Sequence, residues 1–311
     1  MNKQTLLLLV LLVLISSLSF YASAQTTGDY RSNAASFNWD VDASWQRWNG
    51  AAWVAPTAAQ GYPGETATSI AGTVTIQAGH TVTANVDVTT NDIGNLIITG
   101  TLVENASNID LDMTGNLTVT GTFDINGDNC TFDVGGSLSI SGNGILNMDD
   151  NDIRIGIVGG ATISNNGAFT LNDDDLVVTI GGSLSLQNAA ILNLNSGGDD
   201  QDITVTGNLT MDATSQIQGN DSQGTLQVNG TFTVPATATN ARIGGVTLTV
   251  NGATNVAALG NITFNNNNGV KTFKGSVTVA GSWTSTAITS NDRLVFGGEV
   301  MTSGTFACGC N

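Results

Sequence analysis

Leu117 and Val119 alternate with Thr118 and Thr120 between Gly115 and Phe123, and variants of that stretch recur through most of the chain. A period of two is the pattern of a strand buried on one side, and glycine at either end is turn punctuation. The unit from Asp175 to Leu194 holds three such strands, with Leu176, Val178, Ile180, Leu184, Leu186, Leu192 and Leu194 on the inward parity. Phe132, Val134, Leu138, Ile140, Leu146 and Met148 fill the same places in one further coil, and Ile203, Val205, Leu209 and Met211 do so in another.

The glycine ahead of the middle strand sits at Gly94, Gly115, Gly136, Gly160, Gly182, Gly207, Gly230, Gly252 and Gly275, a mean period of about 22.6 residues. A fixed all-strand period of this size specifies a solenoid, because one unit cannot bury its apolar side alone while stacked units bury a continuous column. Crossovers between parallel strands wind right-handed. The sequence therefore predicts an all-β fold, a right-handed parallel β-helix of about nine coils with three short strands per coil. At ~4.8 Å per rung this is a rod on the order of 45 Å long. A propeller fits less well, since its blades need about twice this period and hairpin turns between strands. Asn116, Asn208 and Asn261, beside turn glycines, are expected to take left-handed backbone angles. The expected organisation is a signal peptide over 1–24, a Trp-rich leader that serves as amino-terminal cap over 25–72 and parallel β-helix repeats over 73–311, expected to be truncated at the carboxyl-terminal end.

Lys3, the apolar run Leu6 to Ile15 and the small residues Ala22-Ser23-Ala24 have the form of a secretory signal peptide, too short for a stable membrane span. No cysteine follows at the cleavage site, so a lipid anchor is not expected, nor is a membrane span after cleavage. Loss of Lys3 takes the formal charge from −17 to about −18. Such an acid excess argues against nucleic acid and anionic membranes as partners. The 25 acids are nearly all Asp, which with Asn, Gly and Thr favours turns and strands over helices.

Four tryptophans, Trp39, Trp45, Trp48 and Trp53, cluster before the repeats. Exposed rings could stack on sugars, which makes these four candidate glycan ligands. The favoured reading is a cap, because the first rung of a repeat stack exposes an apolar cross-section and a free strand edge. Cys130 shares the parity of Phe132 and Val134 and is expected to be a small core residue. Cys308-Gly309-Cys310 has no partner His or Cys nearby and signals a metal weakly; an oxidised pair is an equal reading. His80 is the only histidine, so a His-pair metal site is ruled out, and it is expected to be structural.

Three acidic runs are spaced like the repeat: Asp149-Asp150-Asn151-Asp152, Asp173-Asp174-Asp175 and Asp199-Asp200-Gln201-Asp202. They are expected to stack along one edge of the rod. Three readings remain. Soluble turn acids come first; calcium, held by hard oxygen ligands that also relieve their repulsion, is second. Third is a carboxylate pair of glycosidase type, which would need one carboxyl raised by a water-poor cleft. The expectation is no cofactor, with calcium as the alternative and no catalytic residue assigned.

Three motifs carry a resemblance. The leader Asn38 to Gly50, the segment Val74-Thr75-Ile76-Gln77-Ala78-Gly79-His80-Thr81-Val82 and the Gly-Asn-Leu-Thr-Val-Thr-Gly units together resemble secreted bacterial β-strand-repeat proteins of the Bacteroidetes type associated with type IX secretion. The resemblance covers nearly the whole mature chain and implies a surface or secreted, adhesin-like protein. It also implies a terminal sorting domain, which is not recognised before Asn311, so the chain is expected to be a fragment or one module. The expected function is a non-enzymatic secreted or cell-surface structural module whose partners would be extracellular glycans or other surface proteins. A polysaccharide-acting or carbohydrate-binding β-helix protein is the alternative.

Overall fold

The computed structural model describes residues 25–68, 72–195, 201–265, 269–285 and 293–308. The signal peptide (1–24), Asp199, Asp200 and Cys310 lie outside them. The described chain is all strand apart from a 3-10 turn at Asp42–Ser44, and the strands stack into a parallel β-helix of about nine turns. Among the described residues no helix is long and apolar enough to cross a membrane.

Each turn has three faces. The glycine-led face contains strands such as Leu117–Val119, Leu138–Ile140 and Ala161–Ser164, paired in parallel with like residues opposite like: Leu117 opposes Leu138, and Val119 opposes Ile140. The second face holds Thr122–Ile125, Ile145–Met148 and Ala168–Leu171, and the third holds Leu111–Met113, Thr131–Val134 and Arg154–Ile157. Nine strands of the glycine-led face follow the nine marker glycines, and Thr73–Ile76 and Val300–Thr302 add a rung at either end. Two long strands, Gln216–Val228 and Ala241–Val250, run through the corner between the second and third faces. They merge those faces into one continuous 20-stranded sheet.

The inward residues named from the alternation are buried, including Leu176, Val178, Leu184, Leu186, Leu192 and Leu194. They form one core cluster that runs from Tyr30 to Trp283. Parity carries this directly, since a one-residue slip would turn every apolar side chain to water. The marker glycines are needed for close approach of adjacent turns. A Cβ on Gly182 would lie 2.7 Å from the Gly160 nitrogen, and one on Gly136 would lie 2.8 Å from the Gly115 carbonyl carbon.

The asparagine expectation is corrected. Asn116, Asn208 and Asn261 do not take positive φ; among the described residues the left-handed asparagines are Asn108 and Asn129, between the second and third faces, and Asn143, Asn165, Asn166 and Asn188, between the glycine-led and second faces. Asn116 Oδ1 instead accepts a hydrogen bond from Ser137 N at 2.8 Å, and Asn208 Oδ1 accepts one from Thr231 N at 2.8 Å. Each amide thus satisfies a backbone donor of the following turn, which the sheet leaves open at the bend.

Candidate functional site

The aromatic segment divides in two. Tyr30–Ser32 and Ser36–Asn38 are already rungs of the helix, parallel to Thr73–Ile76 and Thr81–Ala84. Trp45–Trp48 and Trp53–Val54 then continue the glycine-led sheet antiparallel, closing its amino-terminal edge. Trp39 and Trp45 are fully buried beneath that closure, with ring centroids 5.0 Å apart. Their indole N–H groups donate to Pro63 O at 2.9 Å and Trp39 O at 2.8 Å. Neither ring offers a face to a sugar, so the glycan expectation does not hold for these two. Trp48 and Trp53 are half-buried, meet edge to face at 5.5 Å, and Arg31 stacks over Trp53 at 4.5 Å. Only this second pair is placed where a ligand could reach it.

The two acidic runs that lie wholly within the described residues are at the corner between the second and third faces. Asp149 to Asp152 follow Ile145–Met148, and Asp173 to Asp175 follow Ala168–Leu171 one turn on. Much of their hydrogen bonding is local: Asp150 Oδ1 accepts from Asn151 N at 2.8 Å and Asp173 Oδ1 from Asp174 N at 2.9 Å, while Asp152 and Asp175 supply left-handed bends. Asp174 Oδ1 is buried without a hydrogen-bond partner. Asp202 is exposed on the strand Gln201–Val205 and accepts from the Thr225 hydroxyl, away from the bend. Among the described residues no three acidic, His or Cys side chains converge in a way that could hold a metal.

A different carboxylate set stands together. Asp112 is the outward residue of Leu111–Met113 on the third face and lies opposite Asp133 in parallel register, with Asp92 on the preceding turn. The three line a groove of about 730 Å³ with Thr114, Gly156 and Val158, along the bend from the third face into the glycine-led face. Gly156 continues the row one turn further, and a side chain there would overlap Asp133 Oδ1. Burial pushes the Asp112 carboxyl up to about 6, and the neighbouring carboxylates of Asp133, Asp92 and Asp110 add to the rise. A carboxyl whose pKa is raised to about 6 by burial in such a groove is chemically able to give and take a proton. Sequence reasoning passed over this set because its members are single residues inside strands. The available signal was their spacing: Asp92, Asp112 and Asp133 recur at close to one coil length.

Glu104 and Cys130 form a buried polar contact. Glu104 is wholly buried; its Oε1 accepts from Ala106 N at 2.6 Å, and Cys130 Sγ donates to its Oε2 at 3.4 Å. Burial raises the pKa of Glu104 and pushes the Cys130 thiol up to about 12, so this cysteine is a core residue and not a reactive thiolate. His80 Nδ1 lies 2.8 Å from Ser32 Oγ, which also accepts from Gln77 N, so the single histidine ties the first rung to the cap. Of the terminal cysteine pair, Cys310 lies outside the described residues. Compared with protein-family models, with curated proteins and with solved structures, the chain matches none.

Proposed function

We propose that this chain is a secreted or cell-surface structural module, an adhesin-like rigid spacer without catalytic activity. The observation that carries the reading is the buried column from Val74 to Val279 on the glycine-led face, apolar at every inward place except Thr254 and closed at its amino-terminal edge by antiparallel strands over Trp39 and Trp45. A column held by parallel pairing at every turn resists bending, which suits a part that holds something at a distance. The secretory leader and the resemblance to type IX-exported repeat proteins of Bacteroidetes support an extracellular location, with glycans or other surface proteins as partners. The negative charge disfavours nucleic acid.

A second reading, an enzyme acting on polysaccharide, is favoured by one observation: the raised pKa of Asp112 between Asp92 and Asp133 in an open groove. Two measurements decide between them. Antibody labelling of intact host cells tests location, and release of reducing sugar from neutral and acidic polysaccharides by the purified mature chain tests catalysis. Surface labelling without release is the expected outcome. Release that Asp112→Asn abolishes would replace the spacer with the enzyme, and a location confined to the cell interior would sink both.

A further inference from the structure

The outward residues of the glycine-led face form a single file. Register places Thr118, Ser139, Thr162, Ser185, Thr210 and Thr233 directly opposite one another on six successive turns. Asn255 and Thr278 continue the file toward the carboxyl-terminal end, and Ile97, Thr75 and Arg31 continue it toward the cap. No carboxylate stands in this file, although the chain carries 25 Asp and Glu. At its head, Trp53 forms one wall of a shallow hollow of about 80 Å³ that Thr75 and Ile97 also line, together with Asp29, whose Oδ1 accepts from Thr73 N at 2.8 Å.

We infer that this file is a docking surface for a neutral, extended polysaccharide, which lies along the rod axis with one end against Trp53. The inference rests on the surface-module reading and gives it a partner class. Each hydroxyl both donates and accepts, as a sugar hydroxyl does, so the file can exchange hydrogen bonds with a glycan at every turn. The ~4.8 Å rise between rungs sets a hydroxyl at each step along the axis, so an extended chain laid on the file meets a hydrogen-bonding group at every turn. Charge selects the same partner. A polycation would be drawn to the Asp92, Asp112 and Asp133 row and a polyanion repelled by the whole molecule, whereas the six-rung stretch from Thr118 to Thr233 carries no charge and Arg31, at the head of the file, is its only ionised member. Trp53 supplies the apolar wall that a sugar ring face needs.

The test uses the mature chain and a panel of insoluble neutral polysaccharides (cellulose, chitin, mannan and a β-1,3-glucan), with polygalacturonate and polylysine as charged counterparts. One variant, Thr162→Asp/Ser185→Asp/Thr210→Asp, places three carboxylates in the file. A control, Thr179→Asp/Thr204→Asp/Thr249→Asp, adds the same charge to the third face, and circular dichroism melting checks that both remain folded. The expected result is retention on at least one neutral polysaccharide, weakened about tenfold or more by the file variant and by Trp53→Ala but not by the control. Equal weakening by the control would overturn the inference, as would retention only on a charged polymer. So would self-association or ice-crystal shaping that the file variant removes in place of glycan retention, since the occupant would then be a second copy or ordered water. If no neutral polysaccharide is retained while intact cells still label at their surface, the inference fails and the spacer reading stands. Absence of surface labelling removes the reading beneath it.

Discussion

The glycine-led face and the third face share a backbone and a core but not a surface. Both present mainly Leu, Ile, Val and Phe inward, fully buried, with buried polar exceptions that include Thr254 on the glycine-led face and Lys271 on the third. Outward, one shows a file of Thr and Ser, and the other begins with Asp92, Asp112 and Asp133 before passing to Gly156 and Thr179. The difference teaches that in a solenoid the inward positions answer to the turn above and below, whereas the outward ones are free to vary face by face. Function, if it resides on the rod, is written on a face rather than on a coil.

If the core really is common to both faces, truncating it under either should do the same damage. Leu186→Ala beneath the hydroxyl file and Leu176→Ala beneath the third face should each cost about 2–5 kcal/mol in denaturant unfolding. A gap between the two larger than that range would mean that one face holds the rod together and the other only decorates it.

A smaller effect separates the outward rows. The folded chain raises the Asp112 pKa from 3.8 to about 6, so the folded state binds this proton more tightly than the unfolded state does. Its contribution is therefore favourable at low pH and is lost as pH rises from near 4 through 6. Asp112→Asn should flatten that part of the stability profile and raise the melting midpoint at pH 7, by less than ~1 kcal/mol because the group is mostly solvated. The same Asn placed at Thr162 should leave the profile unchanged. An unaltered slope in Asp112→Asn would show that the carboxylate row is not strained.

The smallest effect concerns the acidic corner. Since no three described acidic, His or Cys side chains are grouped so as to hold a metal ion, millimolar calcium against chelator should move the midpoint by less than ~1 kcal/mol equivalent. A larger rise, removed by Asp173→Asn/Asp174→Asn/Asp175→Asn, would put a cation on that corner after all and give the partnerless Asp174 Oδ1 its ligand.

Much of the fold was legible because its rule is local. The parity of Leu176, Val178, Leu184 and Leu186 can be seen within one coil, and it held at each of these positions. The site was much less legible. Ser139, Asn166 and Gln227 look like irregular outward residues when read along the chain. In space Ser139 belongs to the hydroxyl file, Asn166 is a left-handed corner residue and Gln227 is on the third face, so the file is regular once the faces are separated. The four tryptophans likewise look alike in sequence. Two close the core and two face outward, a division set by the antiparallel closure over the first rung.

The sequence by itself determined which side chains point inward, the coil length, and hence the parallel β-helix, because hydrophobic alternation and glycine spacing act within a few residues. Only the tertiary structure decided which outward residues become neighbours. Thr118 and Thr233 share a file, Asp112 and Asp133 share a groove, and Asn116 reaches Ser137, because each meets its partner one or more whole turns away along the chain. A change of one residue in a corner leaves the inward parity of every strand intact while altering which outward residues align, so alignment is settled by how the turns seat on one another.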